Sequence, residues 1–175
     1  MIMRIRQFFR AVRAHLTEKD GRYLSEHLSA EEQELFFAMH RADQYHALHV
    51  AYTAERLTEE QSIPVDQELL IRAALLHDVG RVKGDLDIWG KVFAVLAGTF
   101  CPEMSRKRAG EKTDGLLGRL AHCLYVYYHH PELGAKKLRA LGLLREAELA
   151  ERHHLRERPE DAIELRLLRR ADEMN

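Results

Sequence analysis

Cysteine is almost absent from this sequence: Cys101 and Cys123 are the only two in 175 residues. They are too few and too far apart for a disulfide framework or a Cys-X-X-Cys zinc motif, so a packing role in a reducing cytoplasm is expected. Neither stands at an expected helix start, where its pKa would fall, which argues against a cysteine nucleophile. Proline, with 4 residues, and glycine, with 10, are scarce as well. No stretch shows strand-like alternation bounded by turn signals, which excludes a β-sandwich or barrel. There is no Walker-type or GxGxxG phosphate loop; "GRVKG" has the wrong spacing and follows no strand. Charge of one sign is also missing. A net charge of -1 with 31% charged residues creates no basic field, so DNA binding is not expected.

Apolar residues instead recur at helical spacing throughout, and the fold reads as all-α, one bundle with enough chain to bury a core. The opening "MIMRIRQFFRAVRAHL" sets Arg4, Arg6, Arg10 and Arg13 among Ile5, Phe8, Phe9, Val12 and Leu16. Its apolar run is too broken for a signal peptide or membrane span. A basic amphipathic helix docked on its own domain is expected, and contact with an anionic membrane surface is the lesser expectation. Residues 1–28 thus read as an N-terminal helical extension and residues 29–175 as the main domain.

Ser29 and Glu32 form a capping box opening a helix to about Met39, and "DQYHALHVAYTAERL" supplies the next. "QELLIRAALLHDVG" is apolar on nearly every side except Arg72, the mark of a helix surrounded by others, with Gly80 placed to end it. "DIWGKVFAVLAGTF" suggests a further helix, and residues 101–115, rich in glycine and charge, the main loop. "LLGRLAHCLYVYY" carries a helix up to His129, Pro131 suits the first turn of another, and Gly142 its end. Two more follow, near residues 144–154 and 159–172.

Histidine is plentiful, with 11 residues gathered as His46/His49, His77, His129/His130 and His153/His154. Residues three, four and seven apart share a helix face. His46 therefore shares its stripe with Val50, Ala54 and Leu57 and faces inward, whereas His49 follows Thr53, Arg56 and Glu60 to water. By the same test His77, Asp78 and Asp172 face the core. A buried carboxylate is costly unless it is paired or bound to a cation. A single histidine on an apolar face is more often a satisfied core residue. Several inward titratable groups on separate helices, with two His-His pairs besides, point instead to a metal. Imidazole and carboxylate without thiolate suit Fe, Mn, Co, Ni or Zn.

The ordered set "DQYHALHVA", "ALLHDVGR", "HHPELGAKKLRALG", "AERHH" and "RRADEMN" resembles the HD superfamily of metal-dependent phosphohydrolases, in the version called HDIG. The resemblance implies one metal on His46, His77, Asp78 and Asp172, and a second on His130 and His153, with His154 as an extra ligand and Asp78 bridging. His129 becomes a neighbour. Arg81 takes a position often held by lysine and keeps a cation able to fork onto a phosphate oxygen. Where the HD-GYP branch carries a DGxGYP-like stretch, this chain has "HHLRERPEDA", so cyclic di-GMP hydrolysis is not expected.

The resemblance implies a cytoplasmic enzyme with one or two divalent transition-metal ions and a small phosphorylated, nucleotide-like substrate. A metal-activated hydroxide would attack a phosphoester or phosphoanhydride in line. Asp78 and Arg81 carry the catalytic roles, with Lys83 as a further phosphate contact and Arg106, Lys107 and Arg108 as a weaker one. The competing expectation is a non-catalytic, metal-containing module that senses a nucleotide or binds a partner; di-iron oxygenase chemistry is a third. The oligomeric state is left open.

Overall fold

The computed structural model describes residues 16–61, 64–82, 94, 97, 101–111 and 115–175. Among them are eight helices: α1 (Glu18–His27), α2 (Ala30–Ala38), α3 (Arg41–Thr58), α4 (Gln67–Leu76), α5 (Pro102–Arg108), α6 (Gly115–Ala140), α7 (Leu144–Arg152) and α8 (Ile163–Met174). No strand occurs among the described residues beyond an isolated bridge between Met39 and Val82. The all-α expectation holds. None of these helices is long and apolar enough to cross a membrane. The helix expected over residues 1–16 lies almost wholly outside the described residues, as does Lys83; of "DIWGKVFAVLAGTF" only Ala94 and Ala97 are described, both helical.

Local chemistry starts the helices where the sequence says it should. The Ser29–Glu32 capping box is present at α2, and Thr17 with Asp20 makes a second at α1. The Asp66 side chain accepts from Leu69 N at 3.1 Å and caps α4. Burial then orders the bundle. α4 runs through the middle, with Leu70, Ile71, Leu75 and Leu76 fully enclosed against Leu48 and Leu57 of α3, Leu138 of α6, and Leu165 and Leu168 of α8. Each such side chain contributes about 1.5–3 kcal/mol. Arg72, the one basic residue on this helix, pairs with Glu32 of α2 at 3.8 Å, Glu68 at 3.4 Å and Glu146 of α7 at 3.3 Å.

Four expectations are corrected. Residues 101–115 are not simply a loop, because Pro102–Arg108 is helical, with proline in the first turn and Arg106, Lys107 and Arg108 in the last, where they suit the helix dipole. Cys101 consequently stands at a helix N-cap. The helix does not break before Pro131: α6 runs unbroken through it. Gly80 does not act as a left-handed cap, since only Gly115 and Gly142 have positive φ among the described residues. A Cβ on Gly80 would lie 2.0 Å from the His130 carbonyl oxygen and 2.9 Å from Gly134 N, so the glycine lets the turn after α4 touch the α6 backbone.

The fourth concerns the last helix, which begins at Ile163 and not near residue 159. Asp161 is the reason. Its buried carboxylate accepts from Arg158 N at 2.9 Å, from Arg169 Nη1 at 2.6 Å and from Arg152 Nη2, holding 155–162 as an ordered loop between α7 and α8. These contacts, the Arg169 hydrogen bond first, hold its pKa below the usual aspartate value.

Two predictions follow from this packing. Gly80→Ala should lower stability by at least about 2 kcal/mol in denaturant unfolding, because the added methyl displaces backbone and not a flexible side chain. Asp161 has a folded pKa below its unfolded value of 3.8, so its contribution is complete above that value and is lost as pH falls through the folded one. Asp161→Asn should therefore lower the Tm at neutral pH and flatten the acid limb of the Tm-against-pH curve relative to wild type.

Candidate metal centre

Asp78 sits in the turn that closes α4, almost without solvent exposure, with the imidazoles of His77, His130 and His153 around it. Oδ2 lies 3.7 Å from His77 Nε2 and 2.9 Å from Arg81 Nη1. Oδ1 lies 3.2 Å from His130 Nε2 and 4.0 Å from His153 Nε2. On one side His46 Nε2 meets Asp172 Oδ1 at 2.9 Å, and His77 Nε2 is 3.8 Å from the same oxygen. On the other the His130, His153 and His154 rings gather, with His154 centred 5.1 Å from His130 and 3.9 Å from His153. All seven expected ligand positions and Arg81 thus come together from α3, α4, α6, α7 and α8.

Among the described residues three groups bring their nitrogen or oxygen atoms within 4.8 Å of one another: His46, His77 and Asp172; His77, Asp78 and His153; and His130, His153 and His154. His77, Asp78, His130 and His153 form a buried floor, while His46, Asp172, Arg81 and His154 are solvent-reachable. His49 is half-buried between Tyr45 and Tyr52, and His129 is exposed against Tyr125; neither belongs to the cluster.

The three buried imidazoles are oriented by one device. Nδ1–H of His77 donates to Ala74 O at 2.8 Å, that of His153 to Ala150 O at 2.6 Å, and that of His130 to Tyr127 O at 3.0 Å. Each bond reaches back three residues, fixes the tautomer and leaves the Nε2 lone pair for the centre. The acceptors are free because the helical ladder lapses there. α4 and α7 end just before His77 and His153, so their last carbonyls lack helical partners. Within α6 the lapse is made by Pro131, which has no N–H to give the carbonyl four residues earlier, that of Tyr127. The helix passes through its proline because an imidazole satisfies the carbonyl so released.

Electrostatics keep the acids charged and most of the imidazoles neutral. Burial pushes the Asp78 carboxyl upward, but Arg81, His77 and His130 outweigh it and hold the group well below the usual range. Asp172 is likewise lowered, with burial outweighed by the His46 hydrogen bond and the neighbouring imidazoles. Desolvation lowers His130, aided by the Arg81 charge, and lowers His153 far more. It brings His154 to about 4. His46 moves the other way: desolvation is overcome by the Asp172 hydrogen bond and the nearby carboxylates.

The donor set fits a divalent transition ion. Asp78 Oδ1 and His153 Nε2 are buried without a hydrogen-bond partner, one an anionic oxygen and the other a lone pair, and a cation satisfies both at once. Cys101 and Cys123 form no disulfide and belong to none of these groups, so no thiolate competes.

A family model for the HD domain matches residues 44–175, three quarters of the chain, and spans every residue of the cluster. The chain belongs to the HD-domain family. No curated protein and no solved structure matches it. HD domains are metal-dependent phosphohydrolases as a family, and the match takes in α3 almost entirely and everything after it, while α1 and α2 precede it. Composition and spacing did not single out Pro131, Gly80, Gly134 or Asp161 as parts that position this HD centre. The one signal available for Pro131 was its place directly after the paired histidines.

Pro131→Ala should separate helix stability from site geometry. The new N–H competes for Tyr127 O, so metal-free stability should hold or rise, since proline is the poorest helix former. Affinity for Zn2+ or Mn2+ should fall by about 10–100-fold, the usual effect of losing an outer hydrogen bond to a ligand. Calorimetric titration and thermal melts of the metal-free protein measure the two effects.

Proposed function

We propose that this HD-domain chain is a hydrolase of a phosphoester or phosphoanhydride in a small nucleotide-like substrate, working in the cytoplasm. One observation carries the reading: a buried, ionised Asp78 lies between two groups of imidazoles, and Asp78 Oδ1 and His153 Nε2 face inward without partners. We assign His46, His77, Asp78 and Asp172 as ligands of one ion, and Asp78, His130, His153 and His154 as ligands of a second. Fe, Mn, Co, Ni and Zn all match this nitrogen and oxygen set. A divalent ion held by these groups supplies Lewis acidity, which acidifies water and offsets charge on phosphoryl oxygens.

The protein's own residues do the rest. Asp78, shared between the two groups, keeps them in register. Arg81, a forked cation partly open to solvent beside Asp78, is suited to grip a substrate phosphate in two-point fashion. The neutral imidazoles of His130, His153 and His154 have no proton to displace before they bind. The exposed edge made by His46, Asp172, Arg81 and His154 is where a substrate would enter.

The test is direct. Metal-free protein, reloaded separately with each of the five ions, is offered nucleotides, cyclic dinucleotides and phosphomonoesters, and release of phosphate or nucleoside is followed. Turnover should appear with at least one ion, vanish with chelator and return on reloading. Asp78→Ala, with its helical circular dichroism retained, should lose at least about 100-fold, more than an outer-sphere change costs. Ligand binding without turnover under every ion would favour the sensing module instead.

A further inference from the structure

The two sides of Asp78 are not equally open. Around His46, His77 and Asp172 each close contact is between groups that can act as ligands. On the other side a guanidinium stands among them. Arg81 Nη1 lies 2.9 Å from Asp78 Oδ2, the oxygen nearer His77, while Nη2 crosses to the other side and donates to His130 Nε2 at 2.9 Å. His130 has already committed Nδ1–H to Tyr127 O, so Nε2 is its one available lone pair, and Arg81 occupies it. His153 Nε2, a neighbour in the same group, has no partner at all. A lone pair cannot serve a guanidinium proton and a metal ion together, and the two cations repel each other.

Building on the ligand assignment above, we propose that Arg81 gates the three-histidine group: a built-in cation must leave His130 before an ion can be held by His130, His153 and His154 together. The centre therefore fills in order, the His46–His77–Asp172 side first. Arg81 has somewhere to go. Its side chain is partly exposed, and the carboxylates of Asp43 and Asp172 attract it in addition to Asp78. Once off His130 it is free to meet a phosphate, which couples the second ion to the anion.

The experiment uses the full chain, stripped of metal and titrated with Zn2+ by calorimetry, with histidine side-chain 15N spectra recorded in parallel. In wild type the first equivalent should bind at least about tenfold more tightly than the second, shifting His46 and His77 and leaving His130 unmoved until the second equivalent. Arg81→Ala should strengthen the second binding at least tenfold and the first by a smaller factor, because Asp78 loses its partner in both. Arg81→Lys keeps the charge but loses the fork, and should follow Arg81→Ala. Two ions bound equally in wild type, His130 shifting with the first equivalent, or a lysine variant indistinguishable from wild type would each overturn the gate. No Zn2+ uptake by any form would overturn the ligand assignment itself, a different result from uptake without order. The order of the wild-type shifts decides the question even if the alanine variant does not fold.

Discussion

A carboxylate with almost no solvent around it, Asp78, is the constraint to which the rest of the molecule answers. Burying that charge in an apolar bundle is strongly unfavourable unless positive or hydrogen-bonding groups surround it, and here they arrive from three directions. Arg81 comes from its own turn, His77 from the end of α4, and His130 and His153 from helices that approach across the core. That approach needs the α6 backbone against the turn, and the Gly80–Gly134 contact, with Lys137 Nζ donating to Val79 O at 2.8 Å, provides it. The hydrophobic core and the polar centre are therefore one construction: the leucines of α4 fix where its last turn ends, and that turn carries the acid.

The remaining polar interactions hold the outlying ligands to this point. Asp161 ties together Arg152, immediately before the His153–His154 pair, and Arg169, three residues before Asp172. Arg169 Nη2 also reaches Arg152 O at 3.0 Å, so the ends of α7 and α8 that bear ligand-type residues are locked to each other. At the other face Arg72 joins α2, α4 and α7 through three glutamates. Relative helix placement, which sets the distances in the centre, rests on these clamps as well as on apolar packing.

Much of this was legible from spacing alone. The Ser29–Glu32 cap, the enclosed character of α4, and the inward stripes of His46, His77, Asp78 and Asp172 follow from periodicities of three, four and seven, and the structure places all four groups at one centre. What could not be read depends on contacts distant in sequence. Gly80 looks like a helix terminator, because nothing local reveals that the His130 carbonyl passes 2.0 Å from where its Cβ would stand. Pro131 looks like a boundary, since local rules do not anticipate a side chain taking over the carbonyl that proline releases. Residues 102–108 look like loop because a segment dominated by polar and charged residues carries no usable period, yet they form one short helix. Asp161 hid in a charged stretch that reads as solvated surface.

The backward-reaching imidazole bonds have a consequence for how such a protein can diversify. His77, His130 and His153 each hang from a peptide carbonyl of their own helix, not from a neighbouring side chain. Ring orientation is thus anchored in main-chain atoms that no substitution deletes. The residues lining the mouth can be exchanged for others of different size or charge, and these ring nitrogens stay aimed as before. What the mouth admits can drift in such a scaffold while the inward-facing cluster is inherited unchanged.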